Sequence, residues 1–333
     1  MKKKKSYTFL HSKTIVKNYL KEQKLIITIT PNPAIDIAYF IEDFKIDNIH
    51  KVSKIFKTAG GKGLNVSKVL KILGSDILAT GFLGGNSGNY IRNELERIGI
   101  KNKFIDTDGE TRTTYSINDN LNGTTTEIRE AGPNISKSEN EEFFEYLSSM
   151  DDEGNIFACS GSLPNGLDSG FYDRMLDILE NNKVIIDTSG ANLRHIVFDA
   201  KKKPYAIKPN IDEIRDLFGE KIDSMSKREI LEQEAFKNIP IVIISLGKDG
   251  CVAKIHNKYY ECKVPKIEAI NPVGSGDSSI AGLAYSISNN LSEVDTLKYS
   301  MACGVLNALE EEIGHINIDN LEATLEKIMV NEI

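Results

Sequence analysis

The chain has 333 residues, 40% of them hydrophobic and 27% charged, which is typical of a globular protein with one large α/β core or two modest domains. The formal net charge is −7, yet residues 1–24 carry eight lysines and one glutamate, so the remainder carries −14 (−7 minus +7). An acidic body argues against nucleic acid as a partner. No stretch approaches the length of a transmembrane helix, so no membrane partner is expected.

The cysteines and histidines do not suggest a disulfide framework or a metal site. None of the four cysteines forms a CxxC pair, and the five histidines lack the spacing of metal ligands. We therefore predict reduced, buried thiols and a cytoplasmic protein.

Residues 1–24 are basic but contain neither an apolar core region nor a small-residue cleavage site, so a secretory signal is not indicated. We predict a disordered N-terminal extension. A short amphipathic helix on a membrane surface is the alternative.

The first structured segment is the apolar run of residues 25–30, which predicts a buried strand. Asp36 follows shortly after it. In open α/β sheets, ligands bind beyond the carboxyl ends of the strands. Asp36 is therefore either a ligand of substrate hydroxyls or a turn residue, and this segment alone does not decide between them.

A glycine-rich loop over residues 58–66 then leads into a helix with apolar residues at helical spacing. It matches neither a dinucleotide-binding motif nor a P-loop. Gly60 and Gly61 would let a polyol approach the backbone closely, and Lys62 and Asn65 would supply a cation and an amide.

Several strands between residues 37 and 129 are too polar for burial on two faces. Residues 37–41, 52–58 and the pair of Thr-rich strands between about 111 and 129 predict a small exposed sheet over the site. Arg112 begins one of these strands. It is either a phosphate ligand or a solvated charge. Between these segments, residues 77–85 predict a strand and residues 90–98 a helix.

After residue 136, strand-like and helical segments alternate regularly, which predicts a parallel sheet covered on both faces. Polar residues and glycines follow each of these strands, and all of them would point into one crevice. The residues singled out at these strand ends are Ser160, Asp187, Lys208, Asn210, Glu213, Ser245, Gly247 and Gly250.

The segment Gly274-Ser275-Gly276-Asp277 precedes a run with helical spacing. Glycines in the first turn of a helix let a phosphate reach the unpaired backbone N–H groups. Asp277 would be a base beside this anion site, as phosphoryl transfer to a hydroxyl requires. Taken alone, the segment also fits a glycine-rich helix start that binds nothing.

From about residue 25 to the C-terminus, the chain resembles the ribokinase-like (PfkB) family of sugar kinases. The motifs that carry the resemblance are Asn32-Pro33 with Asp36, Gly60-Gly61-Lys62-Gly63 with Asn65, Ser160-Gly161-Ser162-Leu163-Pro164, Asn210 with Glu213, Ser245-Leu246-Gly247, and Gly274-Ser275-Gly276-Asp277. The family usually has alanine where Ser275 stands.

The resemblance implies a single domain over residues 25–333, with a three-layer α/β core, a mostly parallel sheet and a small β-sheet lid. It implies that Asp277 is the base and that the Gly274–Gly276 amides form an anion hole. The substrate residues it implies are Asp36, Gly60, Gly61, Lys62, Asn65, Arg112 and Ser160, with Lys62 and Arg112 on the phosphate. The implied ATP-binding residues are Lys208, Asn210, Ser245, Gly247, Gly250 and Asn307, and Glu213 is the implied residue for Mg²⁺.

Within the family, the segments 57–66, 109–112, 126–133 and 271–278 are similar to kinases of tagatose 6-phosphate. This similarity implies a ketohexose phosphate and ATP as substrates, with phosphorylation at the C1 hydroxyl. Phosphorylation of fructose 1-phosphate is the alternative. A non-catalytic sugar-phosphate-binding regulator and an NAD-binding dehydrogenase are less favoured, and a homodimer formed through the lid is expected.

Overall fold

In a computed structural model that describes residues 24–152 and 154–333, the chain forms an 11-stranded sheet and a 4-stranded sheet. Of the predicted N-terminal extension, only Lys24 lies within the described residues. The strands of the large sheet are β1 (Ile26–Thr30), β4 (Ile77–Leu83), β5 (Lys101–Asn102), β6 (Ile105–Asp106), β9 (Ile156–Ser160), β10 (Lys183–Asp187), β11 (Ala206–Ile207), β12 (Ile241–Ser245), β13 (Cys251–Ile255), β14 (Lys258–Lys263) and β15 (Met329–Glu332).

The large sheet is parallel over most of its width. Its order is β15-β14-β13-β12-β11-β10-β9-β1-β4-β5, with β6 paired to β4, and only β13, β14 and β15 pair antiparallel. All five residues of β1 are buried. A strand covered on both faces needs such a continuous apolar run, which is why the sequence predicts it well.

Helices cover both faces of this sheet. They are α1 (Lys62–Ile72), α2 (Gly85–Arg97), α3 (Lys137–Ser148), α4 (Gly170–Ile178), α5 (Gly190–Arg194), α6 (Ile211–Phe218), α7 (Lys227–Leu231), α8 (Ser275–Ser288), α9 (Glu293–Ala308) and α10 (Leu321–Lys327). Shorter 3₁₀ segments lie at Glu220–Ser224, Glu234–Phe236, Gly247–Asp249 and Ile318–Asn320, and a π-helical turn at His195–Asp199.

The two faces form two hydrophobic cores. Ile26 of β1 packs into one core with α1, α2, α8, α9 and α10, and Ile27 packs into the other with α3 to α7. Neighbouring residues of a strand point to opposite faces, so one buried strand joins both cores. This arrangement confirms the predicted three-layer α/β architecture.

The second sheet, the small sheet, has four strands, β2 (Ala34–Ile41), β3 (Lys54–Gly60), β7 (Arg112–Asp119) and β8 (Thr124–Arg129). Their order in the sheet is β3-β2-β7-β8. Thr58, Asp36, Thr114 and Arg129 lie side by side across its four strands. Asp36 is therefore a strand residue whose side chain shares one face with an arginine, and the turn interpretation does not hold.

Other sequence expectations hold in part. All four cysteines are buried and free of disulfides. None of the helices in the described part of the chain is long and apolar enough to span a membrane. The antiparallel strands β13 to β15 at one edge of the large sheet have no counterpart in the sequence prediction.

Candidate active site

The site is built around the first turn of α8. Gly274 has φ of 84°, and a Cβ atom there would lie 2.6 Å from Ile313 Cγ2, so the position requires glycine. Within the described residues, no side chain caps this helix end. Ser275 N donates to Pro272 O at 3.3 Å, so the N–H groups of Gly276 and Asp277 are those available to an anion, which the helix dipole also favours.

Asp277 lies in this first turn and faces the cavity, although only 6% of the residue is exposed. Asn65 Nδ2 donates a hydrogen bond of 2.8 Å to Asp277 Oδ2. Burial raises the pKa of the Asp277 carboxyl to about 7, and the charge of Asp187 adds to this effect. A carboxyl with such a pKa is well matched to accept a proton near neutral pH.

A charged cluster adjoins this base. Lys62 Nζ lies 3.1 Å from Asp187 Oδ2, and this carboxylate raises the pKa of the ammonium. Burial raises the pKa of Glu213, whose charged neighbours include Asp187, Lys62 and Lys208. The cluster therefore places both positive and negative charges near Asp277, whose pKa responds to Asp187, Lys62 and Lys208.

The side of the site that holds Asp36 and Arg112, two of the residues predicted to bind the sugar phosphate, is formed by the small sheet. Burial raises the pKa of Asp36, although the nearby cations Lys68 and Arg112 oppose this shift. The Asp36 carboxylate fills the space beside Gly60, where a Cβ atom would lie 2.0 Å from Asp36 Oδ2. Arg112 Nη2 donates to Asn32 O at 3.1 Å. Burial lowers the pKa of Arg112, and the charge of Arg129 contributes to this shift.

These two sides share one cavity of about 990 Å³ between the small sheet and the core. Of the predicted site residues, those that line it are Asp36, Gly61, Lys62, Asn65, Arg112, Gly274, Gly276 and Asp277. Three buried polar atoms of its wall, Asn32 Oδ1, Asn65 Oδ1 and Arg112 Nε, have no hydrogen-bond partner among residues 24–152 and 154–333. Such groups are rare in native structures, and a polar ligand would satisfy them.

The predicted ATP residues flank this cavity. Asn210 pairs with Ser245 in an isolated parallel bridge. Asn210 follows β11, and Ser245 is the last residue of the neighbouring strand β12. Lys208 Nζ is only 3.5 Å from the position that a Cβ of Gly276 would occupy, so its ammonium adjoins the anion site. Gly247 begins the short 3₁₀ segment after β12.

Some predicted residues have a different environment from the one that their implied roles suggest. Asn307 is fully buried: its Oδ1 accepts from Ser278 Oγ and Gly314 N, and its Nδ2 donates to Val273 O. It therefore braces the loop before α8 and does not line the cavity.

Gly250 also has a structural reason to be glycine, because a Cβ would lie 2.0 Å from Cys262 O. Ser160 and Ser275 do not line the cavity, and each has a buried hydroxyl without a partner in the part of the chain that the structure describes.

The structure also brings in residues that received no role from the sequence. Asp187 ends β10 beside Ser160; the sequence places it among the polar strand ends of the crevice but assigns it no role. Arg129 and Asn32 line the cavity as well. Nothing local identifies Arg129, because it reaches the site only through the pairing of β7 with β8.

The residues present fit a magnesium ion that arrives with a nucleotide. Among the described residues there is no group of three or more acidic, His or Cys side chains placed to hold a metal ion. Mg²⁺ usually keeps several waters and takes one or two carboxylates. Glu213 and Asp187 are such a pair, although Glu213 Oε2 also accepts from Asn210 N at 2.8 Å in a capping box.

The chain is similar in sequence to known carbohydrate kinases. A family model described as pfkB family carbohydrate kinase matches residues 29–319, which include every residue of the cavity wall. A tagatose-6-phosphate kinase from Staphylococcus epidermidis is 40% identical over 313 residues, which is 93% of this chain and 100% of that protein.

Two solved structures share the fold. A Staphylococcus aureus protein provisionally called a phosphofructokinase has 30% identity and a TM-score of 0.77, covering 92% of this chain and 99% of its own. Phosphofructokinase-2 from Escherichia coli, in complex with fructose 6-phosphate, has 19% identity and a TM-score of 0.81, covering 91% and 98%.

Proposed function

Because the chain belongs to the pfkB family of carbohydrate kinases and is a sugar-phosphate kinase, we propose that it transfers the γ-phosphoryl group of ATP to the C1 hydroxyl of tagatose 6-phosphate. One observation carries this proposal. A buried carboxyl at a helix N-terminus shares a cavity with two arginines and with unsatisfied polar atoms. The 40% identity to a tagatose-6-phosphate kinase supports the choice of sugar.

The chemistry at the acceptor end follows from Asp277. Its carboxylate takes the proton from the C1 hydroxyl as the oxygen attacks the γ-phosphorus. The bond from this phosphorus to the bridging oxygen breaks and ADP leaves, while Asn65 holds the carboxylate in place. The backbone N–H groups of Gly276 and Asp277 donate to the oxygens of the transferred group. Because these donors are already ordered, little reorganisation is needed in the transition state.

The cations take separate roles in this proposal. Arg112 and Arg129 both line the small-sheet side of the cavity, and their mutual repulsion falls when a dianionic phosphate lies between them. We assign them to the 6-phosphate. Lys62 instead neighbours Asp187, Asp277 and Glu213, so we assign its ammonium to the transferred phosphoryl group.

The remaining groups bind the sugar hydroxyls and the nucleotide. Asp36 and Asn65 would hold the hydroxyls near Gly61, while Lys208, Asn210, Ser245 and Gly247 would contact ATP. Glu213 and Asp187 would hold Mg²⁺ through water. The bound ion would neutralise charge on the phosphates.

A coupled assay of ADP release tests the substrate. Tagatose 6-phosphate, fructose 6-phosphate and fructose 1-phosphate would be compared at equal concentration with magnesium-ATP. We expect the highest kcat/KM for tagatose 6-phosphate and a 1,6-bisphosphate product. The two 6-phosphates differ only at C4, so activity with both is expected.

The other outcomes are equally informative. Preference for fructose 1-phosphate would mean that the sugar binds in the reverse orientation, with the arginines on a 1-phosphate. No turnover with any of the three sugars would contradict the proposed reaction and favour a sugar-phosphate-binding regulator.

We also propose a homodimer formed through the small sheet. On the face away from the cavity, the apolar side chains of Tyr39, Ile55, Tyr115, Ile117 and Ile128 lie in two adjacent rows. Ile55 is 51% exposed and Ile128 is 54% exposed. A second copy of this sheet would cover the apolar rows and protect the sheet edges.

A further inference from the structure

Lys68 is a buried cation that the proposed chemistry does not use. It lies on α1 behind the cavity, is 7% exposed and does not line the cavity wall. Burial lowers the pKa of its ammonium. Because a buried ammonium is costly unless it is paired, a lysine at this position needs a reason.

The ammonium links two separate parts of the site. It donates to Thr58 Oγ1 on β3 at 3.1 Å and makes a longer contact of 3.5 Å with Ile313 O, in the segment after α9. The carboxylates that favour its charged form are, in decreasing order, those of Asp36, Glu312, Asp277 and Glu94. A lysine ammonium has three N–H donors, so it can hold both contacts while facing Asp36.

The first contact bears on the sugar side. Thr58 is the cross-strand neighbour of Asp36, so the two side chains share one face of the small sheet. Lys68 and Arg112 are the two cations that favour the ionised form of the Asp36 carboxyl, and Lys68 has the larger effect. Lys68 therefore acts on Asp36 in two ways: through its charge, and by holding Thr58 of β3, the strand next to Asp36.

The second contact bears on the anion site. Ile313 packs against Gly274, where a Cβ would lie 2.6 Å from Ile313 Cγ2. The next residue, Gly314, packs against Asn65, the donor to Asp277. The segment held by Lys68 thus contacts both the start of α8 and the amide that orients the base.

From these contacts we infer that Lys68 is a positioning residue, whose buried ammonium ties the Asp36 strand to the Ile313–Gly314 segment and so sets the geometry of the sugar site. This inference rests on the proposed function for its kinetic consequence. It predicts that loss of the ammonium weakens sugar binding without removing the base or the ATP residues.

The test compares Lys68→Met, which keeps the length of the side chain, with Lys68→Arg, which keeps the charge. Lys71→Met is the matched control, since Lys71 is exposed on the same helix. Hydrogen exchange by mass spectrometry would follow residues 34–41, 54–60 and 309–316 in each protein. We expect faster exchange in these segments for Lys68→Met alone, with the core helices unchanged.

Steady-state kinetics form the second readout. For Lys68→Met we expect the KM of the sugar phosphate to rise roughly 10- to 100-fold while the KM of ATP stays within about twofold, with recovery in Lys68→Arg. Removal of one partner from a buried charge network usually lowers stability. Such a loss alone, with both KM values unchanged, would indicate a merely structural lysine.

The outcomes separate this inference from the proposed function. Wild-type exchange in Lys68→Met would overturn the positioning role whether or not the protein phosphorylates tagatose 6-phosphate. Faster exchange throughout the core would overturn it as well, because that result indicates general destabilisation. An inactive wild-type protein with the predicted local exchange would count against the proposed function alone.

Discussion

Among single residues, Asp277 combines burial with the need to be ionised. Because its pKa is raised to about 7, we expect kcat/KM to rise with pH up to about 7 and then to level off. We expect Asp277→Asn to lose about 10²- to 10⁴-fold in kcat and still bind the sugar phosphate. Initial rates over a range of pH, with calorimetric binding to the variant as control, test this prediction. A flat wild-type profile would contradict it.

The same pKa shift predicts how stability depends on pH. In the unfolded chain an aspartate ionises near pH ~3.9, so between that pH and about 7 the folded protein holds a proton that the unfolded chain has lost. The contribution of Asp277 to stability therefore falls as pH rises through this window. We expect Asp277→Asn to raise Tm at pH 8 and to change it less at pH 5. Thermal unfolding of the wild type and the variant at both pH values measures this difference.

Arg112 is the residue whose geometry should matter most for the phosphate. A lysine at this position keeps one charge but loses the planar fork that binds two oxygens. We expect Arg112→Lys to raise the KM of tagatose 6-phosphate about 10-fold or more with little change in kcat. Arg97→Lys, on the exposed part of α2, is the control. A normal KM in Arg112→Lys would remove this arginine from the phosphate site.

At the scale of elements, the start of α8 depends on one glycine. Gly274 has a positive φ and a close neighbour in Ile313, whereas Gly74 has φ of 80° and no atom within 4 Å of the position that a Cβ would occupy. We expect Gly274→Ala to lower the free energy of unfolding by about 1–3 kcal/mol more than Gly74→Ala does. Its kcat should fall as well.

Urea unfolding and initial rates of the two variants measure this difference. Gly74→Ala carries only the backbone strain, so its activity should equal that of the wild type. Equal stability losses in both variants would show that the contact with Ile313 contributes nothing.

The start of α2 shows why some element boundaries cannot be predicted locally. Helical spacing predicts a start at residue 90, yet the helix begins at Gly85. Its first N–H groups, those of Asn86 and Ser87, donate to the Glu110 carboxylate, more than 20 residues away along the chain. Because this cap comes from another segment, the polar residues 85–89 contain no helical signal of their own.

For the whole molecule, the small sheet should determine the oligomeric state. The double substitution Ile55→Glu with Ile128→Glu places charges on the apolar face away from the cavity. We expect a dimer in the wild type and a monomer in the variant by sedimentation velocity. Ile318→Glu, at another exposed isoleucine, is the control and should remain dimeric. A monomeric wild-type protein at micromolar concentration would contradict the proposed dimer.

The sequence by itself determined the α/β class, the layers and most of the strands, because burial on both faces of a parallel sheet requires continuous apolar runs. It also indicated Asp277 and the glycines before it, since the chemistry of a helix start is local. Eight of the predicted site residues line the cavity: six lie at the start of α1 or α8, and the other two, Asp36 and Arg112, lie near the starts of β2 and β7.

Only the tertiary structure decided which charges meet. The pairing of β7 with β8 brings Arg129 to the same side of the cavity as Arg112, and the contact between Lys62 and Asp187 joins segments 125 residues apart. Asn307 became a brace behind the start of α8 because its side-chain amide bonds to Val273, Ser278 and Gly314. Such contacts depend on strand pairing and chain packing, which no local pattern of residues specifies.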